Sequence, residues 1–185
     1  LLTAEVAAEV GEYYRESERR KVSEQWYRTS LEKDPNYWPA RISLSRLLLE
    51  KQKNKEALEL LEKAREEGVE DERLSAYLAD AYRQSGKYDR AIEEISRVIE
   101  KNPKNEEYIF IRGRIYFDRG NHDTARKDFN KAYELDPRFH EAYFYVGRTA
   151  FEQEDYETAI KIFRHVLDYK PNEGAFHYWM GRAYE

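Results

Sequence analysis

A repeat of 34 residues runs the length of this 185-residue chain, and no other feature narrows its fold so far. Counting on by 34 from Gly11 meets Ser45, Ala79, Gly113, Gly147 and Gly181, none with more than a hydroxymethyl side chain. Ser23 leads to Ala57, Ala91, Ala125 and Ala159, again small, whereas Tyr27 leads to Leu61, Ile95, Phe129 and Phe163, all large and apolar. Ser30 leads to Ala64, Val98, Ala132 and Val166, and Pro35 to Val69, Pro103, Pro137 and Pro171, with one departure. Such a period implies one supersecondary unit copied and stacked on itself.

Each copy reads as two helices. The first carries a small residue where the second must cross closely, and the second carries its small and its large apolar residue four apart, on one face. Turn residues such as Ser85, Gly86 and Lys87, or Arg119, Gly120 and Asn121, separate the two. Most copies close on Pro35, Pro103, Pro137 or Pro171, because the residue before a proline is pushed out of the α region. First helices are therefore expected near 4–17, 38–51, 72–85, 106–119, 140–153 and 174–185, with no strand.

In these positions the chain resembles the tetratricopeptide repeat family along nearly its full length. The copy at 140–171 shows the family's aromatic, glycine, alanine, large apolar and proline positions at Tyr143, Gly147, Ala159, Phe163 and Pro171. The resemblance implies an all-α, right-handed superhelical solenoid of antiparallel helix pairs, whose first helices line a concave groove. A single array over 1–185 is expected, with repeats at 4–37, 38–71, 72–105, 106–139 and 140–173 and the first helix of a sixth at 174–185. The array is expected to be a fragment of a longer chain, since Tyr178, Trp179, Met180 and Tyr184 cluster on that helix. Three departures stand out: Ser23 replaces the usual alanine, Glu18 stands where a turn glycine is common, and the second copy ends "EEGVED" without its proline. Arg112 takes a position held elsewhere by Val10, Leu44, Leu78, Val146 and Met180, which suggests a snorkelled stem or a local contact.

Several functions lose ground on composition. Basic and acidic residues, 32 and 37, are mixed along the chain and leave a net charge of -5, so no basic field gathers nucleic acid. Direct membrane insertion is not expected at 37% charged residues, and without cysteine there is no disulfide or thiolate metal site. The run Gly120-Asn121-His122-Asp123 has the spelling of a metal-dependent phosphoesterase turn. Other copies read Lys87-Tyr88-Asp89 and Asp155-Tyr156-Glu157 at that point, so His122 stands for the aromatic that packs the turn and Asp123 for the acid that starts the second helix. No metal, no cofactor and no catalytic constellation is expected, and the chain reads as a non-enzyme.

The first helices of the last three copies carry the candidate site. Phe110, Phe144 and Tyr178 recur at the repeat spacing, one turn later Arg114, Arg148 and Arg182, and then Phe117 and Phe151. An aromatic and a guanidinium four apart on one helix face can stack, which makes alternating apolar and cationic rungs. Only Lys51 of the 13 lysines falls in an expected first helix, against 10 of the 19 arginines, and arginine suits bidentate recognition of carboxylates. Glu107 and Glu141, seven residues before Arg114 and Arg148, are candidate internal partners should those arginines be buried. The carboxylate clamp of the family's co-chaperones needs Lys and Asn four apart on a first helix, and none of the first helices has that pair.

The expected function is a protein-interaction scaffold that holds a partner protein or peptide, acidic with apolar anchors, against Phe110, Arg114, Phe117, Phe144, Arg148, Phe151, Tyr178 and Arg182. The alternatives are a self-association or assembly module of a larger envelope or motility complex, joined through its C-terminal end, and the docking arm of an enzyme whose catalytic domain lies elsewhere. A cytoplasmic location is expected, with the periplasm as the alternative.

Overall fold

The computed structural model describes residues 2–185, so that Leu1 of the expected array lies outside it. Eleven α-helices and no strand are found among the described residues. First helices of the repeats are α1 (Ala4–Glu16), α3 (Trp38–Glu50), α5 (Glu72–Gln84), α7 (Glu106–Asp118), α9 (His140–Glu152) and α11 (Gly174–Tyr184). Second helices are α2 (Arg20–Lys33), α4 (Asn54–Glu66), α6 (Tyr88–Lys101), α8 (His122–Leu135) and α10 (Tyr156–Tyr169). Each first helix begins where the period places it and stops a residue early, which leaves Lys51 just beyond α3 as its C-cap. The chain falls into two compact units, residues 1–94 and 95–185.

Close crossing explains the small register. A Cβ built on Gly11, Gly113 or Gly147 would stand 2.6, 2.7 or 2.8 Å from the ring of Tyr27, Phe129 or Phe163. Those three rings are wholly buried, so glycine on the first helix and the ring on the second form one fitted pair. Tyr27 brings a phenol into the interior, and burial raises its pKa to about 12. The hydroxyl of nearby Ser30 donates to the Ala4 carbonyl at 2.6 Å and ties α2 to the start of α1.

The turn inside each repeat also recurs at 34 residues. Glu18, Gln52, Gly86, Gly120 and Glu154 all have positive φ, so the left-handed residue that ends a first helix is glycine in only two of five copies. The second repeat closes without proline because Gly68, at φ 81°, ends α4 instead. Its N–H donates to Arg65 and that of Val69 to Ala64, which satisfies the last carbonyls of the helix.

Two paired arginines, one buried and one half-buried, hold the copies in shape. Arg41 is 1% exposed, and its guanidinium donates to Glu67, to the Pro35 carbonyl and to Asn36 Oδ1, so it fastens the turn before α3 to the end of α4. Arg112 is not a snorkelled stem. Its Nε and Nη2 donate to the two oxygens of Asp128 at 2.8 and 2.7 Å, and this paired carboxylate raises the arginine's pKa further. In the next copy the same two positions are the apolar Val146 and Ile162, so an ion pair has replaced a packed apolar pair.

Candidate functional site

The expected site lies wholly within the unit formed by residues 95–185, on α7, α9 and α11. Phe110, Arg114 and Phe117 lie along α7 at intervals of four and three residues; all three positions return on α9, and the first two on α11 as Tyr178 and Arg182. Asn105 caps α7 by accepting from the Tyr108 N–H at 3.0 Å, whereas α9 and α11 begin without a side-chain cap.

The rings expected to form the rungs divide into two groups. Phe110, Phe117 and Phe144 are 6, 8 and 5% exposed and belong to the interior. Phe110 packs on Phe129 and Phe139, Phe117 on Phe129, and Phe144 on Phe163 and Phe176. Phe151 is half-buried, and Tyr178 stands 57% exposed. What Phe110, Phe117 and Phe144 offer the surface is support from beneath, because second-helix rings cover them on one side and the next first helix on the other. For Tyr178 the situation is open: a Cβ at Gly181 would meet nothing within 4 Å, where its counterparts at Gly113 and Gly147 meet a phenylalanine.

Two rings that the repeat pattern did not single out complete the ladder. Tyr145 and Trp179 sit one residue after Phe144 and Tyr178, about 100° further round the helix. Arg114 lies 5.9 Å from the Tyr145 ring and 5.9 Å from Phe110. Arg148 approaches Tyr145 at 5.5 Å from its own helix, Phe117 at 5.0 Å and Trp179 at 4.0 Å. Trp179 meets Phe151 edge to face at 5.3 Å, and Arg182 reaches Phe151 at 5.7 Å. Guanidinium and ring therefore alternate from α7 through α9 to α11. The register Glu9, Ser43, Tyr77, Ile111, Tyr145, Trp179 becomes aromatic at its end, and that was the available signal.

Stacking engages the face of a guanidinium and leaves the N–H donors at its edge free. Glu107 and Glu141 are not the partners of these arginines. The carboxylate within reach of Arg148 is Glu152, four residues on, at 3.9 Å, and Arg182 has Glu185 at 3.8 Å. Arg182 also donates to the Tyr178 hydroxyl at 3.2 Å, and that bond raises its pKa. Among the described residues Arg114 has no carboxylate in ion-pair range, and Nε of Arg148 is buried with no acceptor. Such a surface can receive carboxylates between rings.

The Asn121-His122-Asp123 run closes the α7–α8 turn and opens α8, with Asn121 at its N-cap. His122 packs edge to face on Phe117 at 5.3 Å, and Asp123 accepts from Gln153 Nε2 at 2.7 Å. Among the described residues no three His, Cys, Asp or Glu side chains gather as a metal site. Nor is any helix among them long and apolar enough to cross a membrane.

Tetratricopeptide repeat models match residues 24–76, 77–138 and 140–173. No curated protein matches the chain by sequence. Among solved structures, a thermophilic tetratricopeptide repeat protein of Thermus thermophilus, TTC0263, is similar with a TM-score of 0.82 at 17% identity, over 98% of each chain. YrrB, described as a repeat protein with an unusual peptide-binding site, is similar with a TM-score of 0.66 at 22% identity, over 94% of this chain and 89% of its own. MamA of Desulfovibrio magneticus RS-1, from residue 41 onward, gives a TM-score of 0.72 at 13% identity, over 92% of this chain and 97% of its own. At these identities the likeness carries the fold alone.

Proposed function

The chain belongs to the tetratricopeptide repeat family, and from that premise we propose that it is a non-catalytic scaffold whose unit of residues 95–185 binds an acidic segment of a partner protein along α7, α9 and α11. Arg114 carries the reading: a half-buried cation 5.9 Å from two rings, with no carboxylate of its own among the described residues. Rings supply area to desolvate and arginines supply sign, so an acidic segment with apolar anchors satisfies both, while a basic one leaves the guanidinium groups opposed. Repeat proteins bind segments in this way, and YrrB is named for a peptide-binding site of its own.

Capture experiments with wild type, Arg114→Leu/Arg148→Leu and Arg46→Leu, each checked for fold by circular dichroism, test this. Partners held by wild type and by Arg46→Leu, lost from the double variant and weakened by salt, support the reading. Equal capture by a well-folded double variant makes the arginines structural.

A second reading rests on α11, where Tyr178 and Tyr184 are 57 and 61% exposed and the notch at Gly181 is open. This face suits a large apolar residue from another helix, including one from a second copy of the chain. Sedimentation velocity on Gly181→Leu, which fills the notch, tests it: self-association in wild type that the variant abolishes supports the reading.

A further inference from the structure

We infer that His140 and Tyr169 form a clasp between the start of α9 and the end of α10, closed at neutral pH and opened by acid. The first residue of one helix stacks its ring on the last residue of the other, at 4.6 Å and 18°. No other copy has such a pair: the two positions hold Ala4 and Lys33, Trp38 and Glu67, Glu72 and Lys101, and Glu106 and Leu135.

The clasp is acid-sensitive because nothing is in place to receive the bond of an added proton. Nδ1 of His140 is buried and has no hydrogen-bond partner. A neutral imidazole can set its bare nitrogen there, whereas an imidazolium carries N–H on both nitrogens and strands one of them as a buried donor. The face of Tyr169 attracts a cation, but at an exposed ring that attraction is weaker than the cost of the stranded donor.

Surrounding charges act in the same direction. From α10 the ring faces His165, one turn before Tyr169, and Lys170 at the helix end; from the end of α8 it faces Asp136, whose carboxylate accepts from the N–H and Nε of Arg138 at 3.0 and 3.1 Å. Glu141, next to it on α9, is exposed, and the imidazole of α11, His177, donates to the Pro171 carbonyl at 2.6 Å. Burial first, then Lys170 and His165, hold the His140 pKa below its ordinary 6.5, and Asp136 pulls the other way. An opened chain therefore binds a proton that the clasp does not, so the free energy of closing is complete above 6.5 and falls as pH drops below it.

Opening is local. Tyr169 is 60% exposed, while Phe163 and Val166, earlier on α10, are wholly buried. A second layer of rings, with Tyr133 on Tyr143 at 4.5 Å and Tyr143 against His165 at 5.3 Å, still joins α8, α9 and α10 when the clasp is released.

Hydrogen exchange on the full 185-residue chain tests this at the last turn of α10, where the Lys170 N–H bonds the Val166 carbonyl. Wild type is compared with His140→Phe, which keeps a ring on Tyr169 and cannot titrate. Between about pH 7.5 and about pH 5, corrected for intrinsic rates, wild type should lose about threefold or more in protection relative to the variant. Equal pH dependence in the two chains overturns the inference. Should the variant fail to fold, the wild-type chain still decides through the His140 imidazole followed by nuclear magnetic resonance. A midpoint below 6.5 supports the clasp, and one at or above 6.5 overturns it. Tyr169→Leu, which uncovers one face of the imidazole, should bring the midpoint back toward 6.5; an unmoved midpoint in that folded variant also overturns it.

Discussion

First helices of the two units bear charge at the same repeat position, and only the second unit sets it against rings. In residues 1–94 the position holds Glu12, Arg46 and Asp80, and each is tied to a neighbour. Glu12 accepts from Arg15 and from the Ser43 hydroxyl at 2.7 and 2.6 Å, Asp80 from Arg83 and Gln84 at 2.9 and 2.8 Å, and Arg46 lies 3.6 Å from Glu50. In residues 95–185 it holds Arg114, Arg148 and Arg182, which lie over rings; Arg148 and Arg182 also have Glu152 and Glu185 at 3.9 and 3.8 Å, so among the described residues only Arg114 of the three has no carboxylate in range. Where those rings begin, at Phe110 and Phe144, the first unit has Ala8, Ile42 and Ala76. Ion pairing consumes the donors at a guanidinium's edge, whereas stacking engages its face. One backbone period thus accommodates a surface satisfied by itself and a surface that still has bonds to make.

The largest expected effect would come from removing a charge that the first unit has locked away. Arg41→Leu should cost about 3 kcal/mol, since it removes the hydrogen bonds of a buried guanidinium to Glu67, the Pro35 carbonyl and Asn36 that tie the turn before α3 to α4. Arg148→Leu should cost about 1 kcal/mol or less, because its stacking contacts are replaced in part by an apolar side chain. Urea denaturation of both variants measures the contrast, and similar losses would erase the distinction between locked and stacked cations.

Next in size is the exception inside the second unit. Asp128→Ala leaves Arg112 half-buried without its carboxylate and should cost about 2–3 kcal/mol. Arg112→Val with Asp128→Ile copies the apolar pair of the following repeat and should come within about 1 kcal/mol of wild type or exceed it. A double variant as unstable as the single one would mean that the ion pair sets the helix approach rather than replacing apolar packing.

Much of this plan could be read before any coordinates, and the part that could not has a physical cause. Helix starts were legible because glycine-to-ring crossings such as Gly113 with Phe129 recur at fixed spacing. The depth of each ring was not legible because a period marks which positions are equivalent, not how far each one is buried. Packing decides that, and it leaves Phe144 buried and Tyr145 half-buried against Phe110, Phe117 and Phe129. Arg112 stayed unexplained because its partner is 16 residues away on another helix and breaks the apolar register there as well. Comparing the two breaks would have paired them. The absence of proline after α4 obscured a stop that Gly68 provides.

Acid should separate the units more gently. Lys51 and, less strongly, Arg28 hold the Glu24 carboxylate down to about 2, from an ordinary value of 4.5. A depressed carboxylate contributes stability that is complete above its unfolded pKa and fades as pH falls through its folded one. Wild type should therefore exceed Glu24→Gln in melting temperature at neutral pH, by an amount that shrinks below 4.5 and is largely gone near pH 2. A gap that persists at pH 2 would assign Glu24 a packing role.

The smallest effect tests what the units share. Glu18 and Glu154 hold φ at 57° and 62°, in the left-handed turn that Gly86 and Gly120 make in other copies. An L-residue in that region loses about 1 kcal/mol to Cβ crowding, and a glycine there returns part of it through the greater freedom of its unfolded chain. Around Gly86 and Gly120 an added Cβ would meet nothing within 4 Å, so neighbours contribute no further term. Glu18→Gly and Glu154→Gly should each stabilise the chain by about 0.5 kcal/mol, one in each unit, as read from urea midpoints at constant m. Because the turn is backbone chemistry, the two gains should agree even though the surfaces beside them differ. A gain in one unit and a loss in the other would show that the glutamate side chain, not the turn, governs that position, and the contrast between the units would then extend to their turns.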